Sequence, residues 1–244
     1  QAGFTAVHVN ELNEDALSTY LANRDHTIAD MPFSSEENAI LRSNDIKDLL
    51  EKGAIDRLVS YLDNAQEVDV HQDASGTSID VVAGGPPCQG FSHIGYRRSY
   101  AVDRQDVAAN RLFEKMARFI SQVRPRIFLF ENVAGIRHAK WTLSGEGVVW
   151  HDVLQAFKKI DGYVVRNAVV RAKDYGVPQN RPRVLIVGIR ADVIDLLRGK
   201  SIFDPNTGEE ITIDPAPSTA IDEEADAVAC GFLPSPAGKR TYPH

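Results

Sequence analysis

Ile79-Asp80-Val81-Val82-Ala83-Gly84-Gly85-Pro86-Pro87-Cys88-Gln89-Gly90-Phe91-Ser92 is the stretch on which the reading of this chain turns. Its first five residues form an apolar, β-branched run of strand type, and two glycines and two prolines end it. Glycine lets the backbone come close to a ligand, while Pro86 and Pro87 fix φ beside the cysteine and restrict the residue before each ring. The segment therefore predicts a strand that ends in a stiff loop presenting a thiol. A lone cysteine is ordinarily a small buried filler, but one that is held and accessible is a candidate nucleophile.

Two further polar groups stand at the ends of apolar runs. Glu131-Asn132-Val133 closes Ile127-Phe128-Leu129-Phe130, and Gln179-Asn180-Arg181-Pro182-Arg183 immediately precedes Val184-Leu185-Ile186-Val187. A thiol, a carboxylate and two guanidinium groups thus fall at the edges of three buried strands.

The 244 residues suffice for one large α/β domain, or one domain and part of another, and with 43% hydrophobic and 25% charged residues the chain can bury a core. No apolar run is long enough to span a membrane and no basic-then-apolar leader is present, so the expectation is a cytoplasmic protein without a membrane partner. The two cysteines, Cys88 and Cys230, give neither a disulfide framework nor metal-ligand spacing, and no metal is expected. A net charge of −7 weighs against nucleic-acid binding, which rests on Lys and Arg neutralising phosphates. Distribution offsets the sum: acids crowd at 11–15, 36–37 and 222–226, whereas Arg97, Arg98, Arg104, Arg111, Arg118, Arg124 and Arg126 lie in or after the cysteine loop.

In chain order, 5–10 reads as a short strand ending at Glu11, and 15–23 as a helix with Ala16, Leu17, Tyr20 and Leu21 on one face. A carboxylate at the end of a strand in a nucleotide-binding sheet commonly accepts from ribose hydroxyls, which makes Glu11 a candidate beside its plainer role as a helix-start acid. Asp45 is a good N-cap for a helix over 46–52. Leu112, Phe113, Met116, Phe119 and Ile120 recur at helical spacing over 109–123, a helix is predicted from 149 to 160, and strands at 163–171 and 184–190 flank a turn over 173–183. Alternating strands and helices predict a mainly parallel sheet with a late antiparallel hairpin and helices on both faces. Beyond Asp192 the sequence is turn-rich with an acidic run at 222–226, and Cys230 has no partner group in the pattern.

Gly-Pro-Pro-Cys-Gln-Gly-Phe-Ser at 85–92, Glu-Asn-Val at 131–133 and Asp-Tyr-Gly-Val-Pro-Gln-Asn-Arg-Pro-Arg-Val at 174–184, in this order and rough spacing, resemble the cytosine-C5 DNA methyltransferases. The resemblance implies a Rossmann-like methyltransferase sheet, S-adenosyl-L-methionine as cofactor and double-stranded DNA as substrate. It implies that Cys88 adds to carbon 6 of cytosine, that Glu131 holds a proton at ring nitrogen 3, and that Arg183, with Arg181 behind it, binds the base oxygen and steadies Glu131. The target base must leave the duplex to reach them. Glu11 and Leu12, Asp45 and Ile46, Pro87 and Leu112 match cofactor-contacting positions; Gln89, Ser92, Arg97 and Arg98 match DNA contacts.

The same comparison predicts a catalytic domain over 1–190 and, over 191–244, the start of a target-recognition region. Family members open with a strand and a glycine-rich turn, and close with an asparagine-bearing motif and a helix; neither is found here, so the sequence is expected to be a fragment lacking both. A bacterial modification enzyme, monomeric and with or without a paired restriction endonuclease, is the setting the resemblance implies. Other readings stay open: a cysteine hydrolase using His93 or His138 as base, a non-catalytic DNA-binding protein, and tRNA in place of DNA.

Overall fold

The computed structural model describes residues 6–23, 42–43, 45–51, 53–64, 79–87, 101–102, 111–141, 147–197, 201–203, 208, 210–212, 227–228, 230–234 and 236. Two compact units divide the chain, one of residues 1–79 with 118–124, the other of 80–117 with 125–244.

In the first unit β1 (Val9–Asn10) pairs in parallel with β2 (Arg42–Ser43), Asn10 opposite Ser43. Helix α1 (Glu14–Ala22) follows β1 under an N-cap from Asn13, whose side chain accepts from the Ala16 amide at 2.8 Å. Helix α2 (Ile46–Leu49) follows β2 under an N-cap from Asp45, and α3 (Ala54–Asn64) comes after it. Of the strand predicted over 5–10, the described residues 6–10 contain strand only at 9–10, and the helix predicted over 46–52 ends at Leu49.

The second unit is built on β3 (Val81–Gly84), β5 (Ile127–Val133), β7 (Tyr163–Arg171) and β8 (Pro182–Arg190), in the order β3-β5-β8-β7. β3 and β5 are parallel, while β8 runs antiparallel to both β5 and β7. Short pairs accompany this sheet: β4 (Ala101–Val102) parallel to β6 (Lys140–Trp141), and β9 (Ser201–Phe203) antiparallel to β10 (Glu210–Thr212). The fold is the expected α/β class, with parallel pairings and a late antiparallel hairpin.

Alternation along β5 assigns its faces. Phe128, Phe130 and Asn132 are buried on one side, and helix α5 (Val149–Lys158) covers them with Phe157, whose ring lies 5.5 Å from Phe128 and 4.9 Å from Phe130 between centroids. Gly188 of β8 stands opposite Phe128, and a Cβ there would overlap the ring; a residue without a side chain is what lets Phe128 lie flat across the β5–β8 pair. On the same side α4 (Leu112–Val123) brings Met116 against Gly84. Ile127 and Leu129 point to the other face, where they join Val187, Ile189 and Ala168 in a second core with Ile194 of α6 (Ala191–Leu197). Ala227 and Phe232 complete this core, and the Ala227 amide donates to the Asn167 carbonyl at 2.9 Å. Half-buried Cys230 packs against that cluster. Part of the segment 191–244 thus shares a core with the sheet, through a helix that its turn-rich composition did not suggest.

Below the sheet, at the amino end of β5, Arg126 pairs with Asp80 and buried Arg190 takes both oxygens of Asp192, Nε to Oδ1 at 2.6 Å and Nη2 to Oδ2 at 2.9 Å. Hydrogen bonding from Arg190 is the main reason the Asp192 carboxyl is held below its ordinary value; partial burial opposes it and the arginine's charge adds to it. No helix among the described residues is long and apolar enough to cross a membrane.

Candidate active site

Glu131 and Val133 sit at the carboxyl end of β5, and antiparallel registry puts Leu185 opposite Glu131 and Arg183 opposite Val133. Glu131 and Arg183 are thereby diagonal neighbours on one face. The Arg183 Nε lies 2.5 Å from Glu131 Oε1, with the arginine side chain 19% exposed and the carboxylate 42%. Arg183 also donates from Nη1 to the Pro182 carbonyl at 2.9 Å. A charge-assisted contact of this length, half shielded from water, fixes the carboxylate's orientation through Oε1 and leaves Oε2 outside the pair.

That other oxygen faces Gly85. A Cβ built on Gly85 would stand 2.9 Å from Glu131 Oε2, a contact that the carboxylate would have to yield to, so loop and carboxylate approach each other closely here. The parallel pairing explains the approach: Gly84, the last residue of β3, lies opposite Phe130, so Gly85 follows alongside Glu131 while β5 continues to Val133 against β8. Asn132 ties them together. Its buried side chain donates from Nδ2 to the Pro86 carbonyl at 3.2 Å and accepts from the Val133 amide at 2.9 Å. Sequence reading quoted Asn132 within its motif but gave it no role, since nothing in a linear pattern shows that its partner is 46 residues away.

The strand carrying Arg183 begins at Pro182, two residues earlier than predicted, which places Arg183 inside the ladder rather than in the preceding turn. Proline is compatible with the first residue of a strand because its missing donor costs least there. The turn itself holds a 3-10 segment, Ala172–Tyr175, ended by Gly176 at φ 84°, and Tyr175 donates to the Pro234 carbonyl at 3.1 Å. Arg181 is exposed at the rim. Pro87 is exposed and Leu112, the first residue of α4, half-buried. Cys88, Gln89, Ser92, Arg97 and Arg98 lie outside the described residues, as does His93.

In the other unit, parallel pairing of β1 and β2 brings Glu11 and Asp45 to the same carboxyl edge, one residue beyond Asn10 and two beyond Ser43. Glu11 Oε1 accepts from the Asn13 amide at 2.9 Å, and Asp45 Oδ1 accepts from Lys47 at 2.9 Å, so each carboxylate also stabilises the start of a helix. Leu12 is 69% exposed and Ile46 half-buried beside them. Among the described residues no cluster of His, Cys, Asp and Glu has the makings of a metal site.

Gly85, Glu131 and Arg183 meet at the carboxyl edge of the parallel strands β3 and β5, the edge at which ligands of α/β sheets bind. The C-5 cytosine-specific DNA methylase family matches the chain over residues 1–224, and the chain belongs to that family. It is 32% identical over 188 residues to the Type II methyltransferase M.AgeI of Thalassovita gelatinovora, covering 77% of this chain and 35% of that protein. It is 40% identical over 127 residues to M.BspRI of Lysinibacillus sphaericus (52% and 27%), and 36% identical over 127 residues to M.Bpa9945I of Bacillus paralicheniformis (49% and 27%). The chain therefore spans about a third or less of the length of these relatives.

Proposed function

We propose that the protein transfers a methyl group from S-adenosyl-L-methionine to carbon 5 of a cytosine flipped out of duplex DNA. The observation that carries this reading is the Arg183–Glu131 pair held against Gly85, three residues before Cys88 in the sequence. Membership of the family supports the reaction class.

Carbon 5 of cytosine is a poor nucleophile. The Cys88 thiolate adds to carbon 6, and a proton held at nitrogen 3 by the Glu131 carboxyl neutralises the charge pushed into the ring. Arg183 holds Glu131 in position and donates to the base oxygen, with Arg181 at the rim. When bound, S-adenosyl-L-methionine supplies the electrophilic methyl. Once carbon 5 carries that methyl, loss of its proton sends the electron pair back into the ring and releases the Cys88 thiolate. The chain's donor set fits the cofactor: Glu11 and Asp45 are acceptors suited to sugar hydroxyls and adenine nitrogens, and exposed Leu12 with half-buried Ile46 offer apolar surface for a ring. Pro87 and Leu112 are assigned to the same ligand, and Gln89, Ser92, Arg97 and Arg98 to the emptied stack and flanking phosphates. Residues 1–190 are proposed as the catalytic domain and 191–244 as the lead toward target recognition, in a modification enzyme of the kind its Type II relatives are named for.

The test is covalent trapping. This chain, and a longer version carrying the flanking lengths its relatives have, are incubated with S-adenosyl-L-methionine and duplexes containing 5-fluorocytosine at many positions. Fluorine blocks the final elimination, so a denaturation-resistant adduct that disappears in Cys88→Ala is expected. Absence of adduct with either chain on varied DNA overturns the reading in favour of a non-catalytic protein.

A further inference from the structure

The register fixes which side chains stand beside the ion pair on its own face of the sheet. Glu131 lies opposite Leu185 and Leu185 opposite Ala168; one row further out, Val133 lies opposite Arg183 and Arg183 opposite Val170. Directly paired residues share a face, so these side chains project to one side. At the β5 end of the two rows is the carboxylate. The β7 end is core: Ala168 is buried in the cluster that holds Ala227 and Phe232, and Val170 packs against that cluster. Arg183 therefore has Glu131 on one flank and, on the other, a valine backed by a distant part of the chain.

That part is clipped at both ends. Among its described residues, 227–228 and 230–234, the Ala227 amide donates to the Asn167 carbonyl of β7 at 2.9 Å. The Ala227 carbonyl accepts from the Phe232 and Leu233 amides at 2.8 and 3.1 Å, which closes a turn, and the Arg166 guanidinium stands 6.0 Å from the centre of the Phe232 ring. At the far end the Tyr175 hydroxyl donates to the Pro234 carbonyl at 3.1 Å, across 59 residues of sequence. Tyr175 belongs to the connection that leads from β7 into Arg181-Pro182-Arg183. That connection is itself braced: after Gly176 at φ 84°, the Val177 amide donates to the Ala172 carbonyl at 3.1 Å and the Gln179 amide to the Val177 carbonyl at 2.7 Å. A bond at Tyr175 thus bears on the start of the strand that carries Arg183.

We propose that Tyr175 is a positioning residue for methyl transfer: its bond to Pro234 holds the 227–234 segment against Val170 and the β7–β8 connection against the segment, and so sets where Arg183 meets Glu131. The inference rests on the reaction proposed above and extends its site to a residue that acts through Arg183 rather than on the base. The Arg183 Nε grips Glu131 Oε1 at 2.5 Å, so a small shift of the arginine turns the carboxylate with it. Misplacement on that scale slows a reaction more than it weakens binding.

The experiment uses Tyr175→Phe, which keeps the ring and loses the bond, alone and combined with Arg183→Lys, in whichever of this chain and its longer version forms the 5-fluorocytosine adduct. Urea unfolding first confirms that each variant is folded. At saturating duplex, Tyr175→Phe should form adduct about fivefold more slowly than wild type, while the duplex concentration for half-maximal rate stays within about twofold. Beside Arg183→Lys the same change should cost less than about twofold, since the bond acts through an arginine that is no longer there. A wild-type rate in folded Tyr175→Phe overturns the proposal. So does a loss of the same size beside Arg183→Lys, which would make the bond a general brace of the fold, and so does a loss confined to the half-maximal concentration, which would mark a duplex contact. Adduct from wild type with no effect of Tyr175→Phe sinks this inference alone; no adduct from either chain sinks the reaction and this inference with it.

Discussion

At the carboxyl end of β5 an arginine from β8 meets Glu131, and at the amino end of the same strand Arg126 meets Asp80 while Arg190 clasps Asp192. The chemical groups are the same at both ends. At the lower end Arg190 is almost wholly buried, its partner is two residues along the chain, and its own backbone continues the ladder by donating to the Arg126 carbonyl at 2.9 Å. At the upper end the carboxylate is 42% exposed, no more open than Asp192 at 51% or Asp80 at 59%, so exposure does not separate the two ends. What separates the upper pair from the Arg190–Asp192 clasp is that the partner of Glu131 comes from a neighbouring strand and that a glycine lies against its second oxygen.

Glu131→Gln should separate the two ends most sharply. Loss of a positioned proton donor is expected to slow methyl transfer by about 10³-fold, measured as single-turnover incorporation of labelled methyl, whereas Asp192→Asn should stay within about twofold of wild type. Equal losses in both would erase the distinction. Next in size is Gly188→Ala, which forces a methyl into the Phe128 ring beneath both ends. A cost of about 3 kcal/mol is expected in urea unfolding; a cost below about 1 kcal/mol would mean Phe128 can turn aside.

Gly85→Ala tests the contact of glycine and carboxylate directly. Its Cβ would displace the Glu131 carboxylate by a few tenths of an ångström, and a roughly tenfold fall in kcat is expected with the melting temperature little changed. Wild-type kcat in that variant would show that the approach is incidental. The smallest effect belongs to acid stability. The Asp192 carboxyl is depressed in the folded protein, so its pairing contributes fully above its unfolded value of about 3.9 and is lost as pH falls through the lower folded value. Asp192→Asn should therefore lower stability at pH 7 by about 1 kcal/mol or less, given the group's exposure, and flatten the decline below pH 4. A steeper decline would contradict the assigned direction.

The strands were legible because Ile127-Phe128-Leu129-Phe130 and Val184-Leu185-Ile186-Val187 are apolar, β-rich runs with polar residues at their ends. The Glu131–Arg183 pairing came from the resemblance, and residue spacing alone contained no register to bring 131 and 183 onto one face. Pro182 fell within the turn expected over 173–183 and proved to be a strand's first residue. Helix α6 follows β8 without a turn, so no punctuation marked it. The packing of Ala227 and Phe232 on the sheet depended on contacts some 40 to 60 residues away in sequence, which local pattern does not encode.

The bond from Asn132 to Pro86, with the fit of Gly85 against Glu131, makes 84–87 and 131–133 a single exchangeable unit. Anyone building chimeras between this chain and its relatives should move both stretches together. A cysteine loop transplanted without its matching strand end would arrive without the carbonyl anchor and the carboxylate spacing it was shaped against, and a hybrid joined between them would inherit two halves of a mould that do not close.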